Sequence, residues 1–141
     1  MEKGFHMKRD YAVVIVTYNR EMLLRECVQQ VKKQTVSASK VIIVNNASTD
    51  GTQKYLEELS QRNSSYQIIE CNKNLGGAGG FARGIVYAIN CNVDCVLLID
   101  DAMLCADYMV LLLEARDRNP QYGAFAGWTF ATSLISVKEL S

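Results

Sequence analysis

The chain has 141 residues, about half of them apolar, and its 15 basic and 15 acidic residues cancel. This is the length of one domain with a proper hydrophobic core, and the composition is that of an ordinary globular protein. Because the net charge is zero, we expect no nucleic-acid partner and no strongly charged membrane surface.

The five cysteines are an odd number, and none of their spacings forms a Cys-x2-Cys zinc pair. We expect reduced structural thiols, as in a cytosolic protein. Residues 1–10 contain no apolar run of the kind found in signal peptides, and no segment reaches the roughly 18 apolar residues of a membrane span. The expected location is the cytoplasm or the cytoplasmic face of a membrane.

The N-terminal half alternates between buried strands and amphipathic helices. After a tail of residues 1–10, the β-branched run Tyr11–Thr17 is typical of a strand that is buried on both faces. Asn19 then offers a helix cap, and Glu21–Gln34 has helical spacing of its apolar residues. A second buried strand is predicted at Lys40–Asn45.

The middle of the chain repeats this order. Asp50, with Gln53, resembles a capping box ahead of a helix at Thr52–Gln61. A weaker strand follows at Tyr66–Cys71, and residues 76–80 form a glycine-rich segment predicted to be a loop before a helix at Phe81–Asn90.

The last strongly patterned unit is a strand at Cys95–Ile99 that ends on Asp100 and Asp101. A helix is predicted at Asp107–Asn119, and Tyr122–Thr129 can form a last strand. Residues 130–141 are read as a C-terminal tail, which leaves residues 11–129 as the folded domain.

Strands that alternate with helices of this length predict an α/β fold, a three-layer Rossmann-like sandwich around a mainly parallel sheet. Ligands bind such sheets at the carboxyl ends of the strands. Polar segments follow the predicted strands, so we expect them to meet at one edge. These segments are Thr17–Asn19, Asn45–Asn46, residues 72–80 and Asp100–Asp101.

The paired acids Asp100 and Asp101 indicate a metal site. A diphosphate ligand needs neutralising, and a chain without net positive charge can hold Mg²⁺ or Mn²⁺ through one or two carboxylates. The alternative is a helix cap in a solvated turn.

The glycine-rich segment places several backbone N–H groups near a helix start, which favours an anion site with Arg83 in the first helical turn. The alternative is a flexible loop. Gly77–Ala82 also fits the dinucleotide pattern G-x-G-x-x-A, but five residues separate Cys71 from Gly76, whereas that turn begins directly after its strand. Dinucleotide binding therefore stays a minor alternative.

Read in series, four motifs resemble family 2 glycosyltransferases, over roughly residues 11–129. The glycine-rich motif is similar to the galactofuranosyl- and rhamnosyltransferase-like branch, which builds bacterial cell-envelope polysaccharides. The motifs are Val13–Arg20, Val44–Thr52, Asn74–Gly84 and Ile99–Asp101.

The resemblance implies a GT-A fold, a UDP- or dTDP-sugar donor, a divalent metal (Mn²⁺ or Mg²⁺) and inverting transfer. Asn45 occupies a position where the family often has an Asp that accepts a hydrogen bond from the base. The residues that the resemblance assigns to the nucleotide are Thr17, Tyr18, Asn19, Asn45, Asn46 and Asp100, and those assigned to the diphosphate and sugar are Asn74, Gly76, Gly77, Gly79, Gly80 and Arg83.

The family's acidic motif usually has three aspartates, and this chain has two. One alignment makes Asp100 and Asp101 the second and third, with Ile99 in place of the first and Asp101 as metal ligand. The other alignment puts Ala102 at the ligand position. Asp100 and Asp101 are the predicted metal residues.

In the family an acceptor-binding region with the catalytic base follows this half, and we expect the chain to stop before it. The sequence itself offers no catalytic base, and its single histidine, His6, disfavours a Ser-His-Asp or Cys-His site. The predicted partners are a glycan or lipid-linked acceptor, and either self-association or a second protein that supplies the missing half. The alternative is a catalytically inactive nucleotide-binding module or a truncated remnant that lacks the acceptor half.

Overall fold

In the part of the chain that the structure describes, four parallel strands form the central sheet. The computed structural model describes residues 9–100 and 102–126. Runs of β-branched residues form the strands because such side chains pack well on a pleated surface that is covered on both faces. The strands are β1 (Tyr11–Thr17), β2 (Lys40–Asn45), β3 (Tyr66–Glu70) and β4 (Cys95–Ile99).

One helix follows each strand. The predicted boundaries are correct to within two residues except at α3, which begins at Gly76 where we predicted Phe81. The glycine-rich segment is therefore the start of a helix, and the prediction of a loop is wrong. The helices are α1 (Glu21–Lys32), α2 (Thr52–Arg62), α3 (Gly76–Ile89) and α4 (Tyr108–Arg118).

The strand order in the sheet is β3-β2-β1-β4, and every neighbouring pair is parallel. The register aligns the carboxyl ends of the strands, because Thr17 pairs with Asn45 and Asn45 pairs with Glu70. On the other side of β1, Ile15 pairs with Ile99. Side chains that follow the four strands therefore come to one edge of the sheet, as the sequence predicted.

Two apolar layers cover the sheet. Alternate residues of β1, such as Val13 and Val14, point to opposite faces and belong to separate clusters of buried side chains. Helices α1, α2 and α4 contribute to the first cluster and α3 to the second. The predicted three-layer α/β fold is confirmed. All five cysteines are free thiols.

Strand β4 lies at an edge of the sheet and is less buried than β1 or β2. A groove of about 760 Å³ runs between β4, α4 and residues 120–126, and Leu98 on β4 is 47% exposed. Residues 122–126 do not form a strand, so the predicted strand at Tyr122–Thr129 is wrong over this part, and its remaining residues lie outside those described. No helix in the described part of the chain is long and apolar enough to cross a membrane.

Candidate functional site

The strand order defines where a ligand crevice belongs. β2 lies on one side of β1 and β4 lies on the other, and open parallel sheets bind ligands at the carboxyl ends of strands where the order reverses in this way. Here that point lies between Tyr18, after β1, and Asp100, after β4, and both residues are exposed. We call the surface around it the strand-end edge. It consists of residues 17–19, 45–50, 70–78 and 100.

The loops after β1 and β2 are fastened to each other through Asn19. Its side-chain Oδ1 accepts a hydrogen bond from the backbone N–H of Thr49 at 2.6 Å, and its own N–H donates to the hydroxyl of Ser48 at 3.0 Å. Asn19 has a positive φ of 50°, a conformation that Asn tolerates better than most residues. The residue at the cap position of α1 is Arg20, without a side-chain cap bond. The prediction that Asn19 caps α1 is therefore wrong, since its amide joins two loops instead.

Asp50 accepts hydrogen bonds from the first residues of both α1 and α2. One carboxylate oxygen accepts a hydrogen bond from the N–H of Thr52 at 3.0 Å, and the other accepts from the N–H of Glu21 at 3.2 Å. Burial alone would raise the pKa of Asp50, but the hydrogen bonds from Thr52 and Glu21 outweigh it and hold the pKa below its ordinary value. The predicted role of Asp50 at the start of α2 is confirmed, although Gln53 donates to Glu57 and does not complete a capping box.

Asn45 is buried beneath the strand-end edge, with 1% of its surface exposed. Its amide nitrogen donates to a carboxylate oxygen of Glu70 at 2.9 Å, and its amide oxygen accepts from the N–H of Ser48 at 3.1 Å. Both polar groups of the side chain are therefore occupied within the protein. The structure places Asn45 below the surface that a base would touch.

Glu70 is the strand-end residue that the sequence reasoning missed. It is exposed at the end of β3, beside Asn45. The sequence could have indicated this residue, because it is a polar residue at the end of a predicted strand. Burial raises the pKa of its carboxyl group above the ordinary value, the hydrogen bond from Asn45 opposes this, and the charge of Glu57 adds to it. Glu70 thus brings a partly desolvated carboxylate to the edge.

Asn46 connects β2 to the start of α3. It is 2% exposed, its amide nitrogen donates to the carbonyl of Gly76 at 3.0 Å, and its amide oxygen accepts from the N–H of Leu75 at 3.4 Å. Asn74 adds a turn bond, since its side-chain oxygen accepts from the N–H of Gly76 at 2.8 Å. Both asparagines therefore hold the first turn of α3 in place.

The glycines of α3 divide into two kinds. Gly76 has a φ of 71° and needs glycine for its conformation, whereas a Cβ on Gly80 or Gly84 would lie 2.6 Å from Val16 and 2.2 Å from Val14. The last two glycines let the helix lie directly on the sheet.

Gly77 is exposed, and a Cβ there would meet nothing within 4 Å. The N–H groups of the first turn have no partners within the helix, and the helix dipole makes this end attractive to an anion. Of the predicted diphosphate residues, Gly77 lies in this open first turn, Gly79 is half-buried, and Gly80 is buried on the face of the helix that packs against the sheet.

Arg83 lies farther from this end than we predicted. Because α3 begins at Gly76, Arg83 is the eighth helical residue and stands about 10 Å along the axis at about 1.5 Å per residue. It lines a shallow depression on the outer surface with Val86 and Asn90. The prediction that Arg83 belongs to the first turn is wrong.

Two neighbouring residues after β1 differ in exposure. Thr17 is 3% exposed, and its hydroxyl is buried without a hydrogen-bond partner among the described residues. Tyr18 is 44% exposed and presents an aromatic ring at the strand-end edge. Of the two, only Tyr18 is open to a ligand.

The acidic end of β4 is described in part. Asp100 is exposed beyond the last residue of the strand, and Asp101 lies outside the described residues. Within residues 9–100 and 102–126, no three acidic, histidine or cysteine side chains form a group that could hold a metal ion. One or two carboxylates, with the remaining ligands from phosphates and water, are nevertheless how proteins usually bind Mg²⁺. Of the two predicted metal residues, the structure places the carboxylate of Asp100 at this edge, exposed and able to contribute one such ligand.

Gln34 fixes the segment that follows these acids. It is 5% exposed, its amide nitrogen donates to the carbonyl of Cys105 at 2.7 Å, and its amide oxygen accepts from the N–H of Met109 at 3.0 Å. These contacts join the end of α1 to the start of α4.

Solved structures with the same architecture define the fold. S. aureus TarS in complex with UDP superposes with a TM-score of 0.67 and 21% identity, over 79% of this chain and 33% of that one. The mannosyltransferase PcManGT from Pyrobaculum calidifontis, in complex with GDP-Man and Mn²⁺, gives a TM-score of 0.56 and 22% identity over 64% of this chain and 27% of that one. The fold is the GT-A fold of glycosyltransferases.

The sequence family agrees with the fold. The model of glycosyl transferase family 2 matches residues 12–134, and the chain belongs to this family. Galactofuranosyltransferase GlfT1 of Mycolicibacterium smegmatis is 33% identical over 98 residues, which are 70% of this chain and 32% of that protein. The protein named GlfT1 in Mycobacterium tuberculosis H37Rv is 30% identical over 105 residues, 74% of this chain and 34% of that protein. The chain thus spans about a third of the length of these two relatives.

Proposed function

We propose that this chain binds a UDP- or dTDP-sugar and forms the donor-binding part of an inverting glycosyltransferase. The observation that carries the proposal is the convergence of four strand ends at the reversal of strand order, with Tyr18 on one side and Asp100 on the other. A nucleotide diphosphate needs an aromatic or polar surface for its base and a positive end for its phosphates. The strand-end edge offers both.

The nucleoside side of the site is the surface over β1, β2 and β3. The exposed ring of Tyr18 supplies a face for stacking on a pyrimidine. Asn19 and Asn45 support this surface from below, since their side chains hold the loops after β1 and β2 in place. In this proposal Tyr18 contacts the base and these two asparagines position the backbone around it, while Asn46 holds the start of α3 on the diphosphate side.

The diphosphate side lies between the start of α3 and the end of β4. Gly77 leaves the first turn of α3 uncovered, so its N–H groups can donate to phosphate oxygens. Asp100 and Asp101 would hold a divalent metal ion together with the diphosphate. When bound, the ion would neutralise the negative charge that grows on the leaving diphosphate.

Transfer itself requires an acceptor hydroxyl to attack the anomeric carbon from the side opposite the diphosphate. The carbon–oxygen bond to the diphosphate breaks, the configuration inverts, and a base near the hydroxyl takes its proton. We propose a glycan or lipid-linked acceptor, with the base supplied from outside the described residues or by a partner protein. Positioning both reactants accounts for several orders of magnitude in rate.

The names of related proteins support a nucleotide-sugar donor. TarS structures contain UDP and UDP-GlcNAc, and the PcManGT structure contains GDP-Man and Mn²⁺. Two relatives are named galactofuranosyltransferase, and we propose for this chain a role in building a cell-envelope polysaccharide at the cytoplasmic face of the membrane. Among the described residues β4 lies at the edge of the sheet and Leu98 is 47% exposed, which favours association with a second copy or with another protein.

The proposal is tested by calorimetric titration of UDP and dTDP into the purified chain, with and without Mn²⁺. We expect binding that depends on the metal and that is lost in Asp101→Ala and weakened in Asp100→Ala. Asp94→Ala serves as a matched control, because Asp94 lies at the opposite end of β4. A folded chain that binds neither nucleotide would refute the proposal. Transfer to an acceptor, or slow hydrolysis of the donor, would separate an enzyme from a binding module.

A further inference from the structure

The exposed carboxylate of Glu70 lies beside the buried side chain of Asn45. The two residues are register partners at the ends of neighbouring strands. Asn45 is 1% exposed, whereas Glu70 is exposed. A molecule that settles on this part of the strand-end edge therefore meets Glu70 first.

The orientation of the Asn45 amide is fixed by two hydrogen bonds. Its oxygen accepts from the backbone N–H of Ser48 at 3.1 Å, which leaves its nitrogen to donate to one oxygen of Glu70 at 2.9 Å. A backbone N–H can only donate, so the amide cannot turn over without losing this bond. Asn45 therefore always presents a donor to residue 70.

The carboxylate of Glu70 consequently faces outward as a hydrogen-bond acceptor. One of its oxygens is engaged by Asn45, and an ionised carboxylate has no proton to donate. Such a group binds N–H donors and repels carbonyl oxygens and ring nitrogens that carry a lone pair. It lies on the same strand-end edge as Tyr18, two strands away in the sheet, so a base that stacks on Tyr18 and extends over β2 points its far edge toward Glu70.

We infer that Glu70 determines which base the site accepts, by selecting bases with a ring N–H donor, such as uracil or thymine, over cytosine. Uracil and thymine have a proton on N3, whereas N3 of cytosine carries a lone pair. The inference rests on the proposed nucleotide site and assigns to β3 the acceptor that Asn45, one strand away, cannot offer.

In Glu70→Gln, the orientation of the new side-chain amide can be predicted. Because Asn45 offers a donor, the introduced glutamine must turn its amide oxygen toward Asn45, and its NH₂ group then faces the base. A donor would now meet the N3–H of uracil, while the lone pair on N3 of cytosine would become a partner. We expect the UDP-to-CDP affinity ratio to fall at least about tenfold, since a hydrogen bond to a charged group is lost and a donor–donor contact replaces it.

The double variant that combines Asn45→Asp with Glu70→Gln exchanges the donor and the acceptor of the hydrogen bond between residues 45 and 70. It therefore tests directly whether the outward-facing group of residue 70 decides the base preference. The introduced aspartate can accept from the N–H of Ser48 with one oxygen and from the NH₂ group of the introduced glutamine with the other. The amide oxygen of that glutamine then faces outward as an acceptor, so the preference for UDP returns. A purely structural role for these residues would not produce this recovery.

The experiment measures, in the presence of Mn²⁺, the dissociation constants of UDP and CDP for the wild-type chain, Glu70→Gln and the double variant, with thermal melting to confirm folding. Glu57→Gln is the matched control, because Glu57 is the carboxylate on α2 that contributes to the electrostatics of Glu70, and its removal should leave the ratio unchanged. A ratio that is lowered in Glu70→Gln and restored in the double variant supports the inference.

Two failures are distinguishable. If the wild-type chain binds neither UDP nor CDP, the proposed nucleotide site itself is wrong. If it binds UDP and Glu70→Gln leaves the ratio unchanged, the site stands and the role of Glu70 is refuted.

Discussion

The carboxylate of Asp50 receives the backbone N–H of Glu21 at 3.2 Å, although 29 residues separate them in the chain. The same carboxylate receives the N–H of Thr52 at 3.0 Å. One side chain therefore completes the first turns of α1 and α2, the helices that follow the two central strands. This shared cap holds the loops after β1 and β2 together, beside the bonds that Asn19 makes to Ser48 and Thr49.

Replacing this shared cap should destabilise the protein. For Asp50→Ala we expect a loss of roughly 1 to 2 kcal/mol in the free energy of unfolding, because the N–H groups of two helix starts lose their acceptor. The measurement is urea denaturation at neutral pH, with Glu26→Ala, an exposed carboxylate on α1, as control. Equal stability of wild type and Asp50→Ala would contradict a capping role.

The cap should also depend on pH. Folding lowers the pKa of Asp50, since hydrogen bonds from Thr52 and Glu21 outweigh the effect of burial. Its contribution to stability is therefore complete above the ordinary aspartate pKa of about 3.9 and is lost as the pH falls through the lowered value. The difference in unfolding free energy between wild type and Asp50→Asn should be full at pH 6 and should shrink below about pH 4. A difference that does not change with pH would argue against an ionised cap.

Two glycines of the same helix should respond oppositely to alanine. A Cβ on Gly84 would lie 2.2 Å from a methyl group of Val14, whereas a Cβ on Gly77 would meet nothing within 4 Å. We expect Gly84→Ala to cost about 1–3 kcal/mol through overpacking. Gly77→Ala should be neutral or stabilising by up to about 1 kcal/mol, because alanine favours the helix. Thermal melting of the two variants checks both signs, and a tolerated Gly84→Ala would mean that α3 can move off the sheet.

Gln34 should control the mobility of the segment that follows β4. In Gln34→Leu the N–H of Met109 and the carbonyl of Cys105 lose their partner, and we expect a loss of about 1–3 kcal/mol. Hydrogen exchange should show faster exchange at the Met109 amide and at its neighbours in the first turn of α4. Gln29→Leu, at an exposed position of α1, is the control. Unchanged protection at Met109 would refute this role.

Asn46 should affect phosphate binding more than base binding, if the proposed donor site is correct. Asn46→Ala removes the bonds to Leu75 and Gly76 that hold the start of α3. We expect UDP affinity to fall about tenfold, equivalent to about 1.4 kcal/mol, while uridine affinity changes little. Calorimetric titration of UDP and uridine measures the two effects. Equal losses for both ligands would show that Asn46 supports the site as a whole.

The strands and the polar residues that follow them could be predicted because both are visible as patterns within short segments of the sequence. β1 and β2 are short runs of mostly β-branched residues, β4 is a short apolar run, and each of the three begins and ends where the sequence predicted. The start of α3 could not be predicted in this way. Glycine disfavours helices in isolation, and Gly80 and Gly84 are helical because contact with Val16 and Val14 outweighs that preference.

The residues at the candidate site show the same division. Exposure of Tyr18 and Asp100 follows from their positions directly after strands. The buried position of Asn45 and the outward position of Glu70 are linked by a hydrogen bond between residues that are 25 positions apart in the chain. The hydrogen bond from the N–H of Glu21 to Asp50 joins residues that are 29 positions apart. No spacing rule within one element connects such residues.

The sequence by itself determined the order of strands and helices, the edge where polar side chains meet, and the family resemblance. These follow from periodicity and motif order, which are properties of short segments. Only the tertiary structure decided which polar groups at that edge hold the protein together and which stay exposed. The physical reason is that each buried amide or carboxylate must find a partner, and its partner is set by the packing of strands and loops that are distant in the chain.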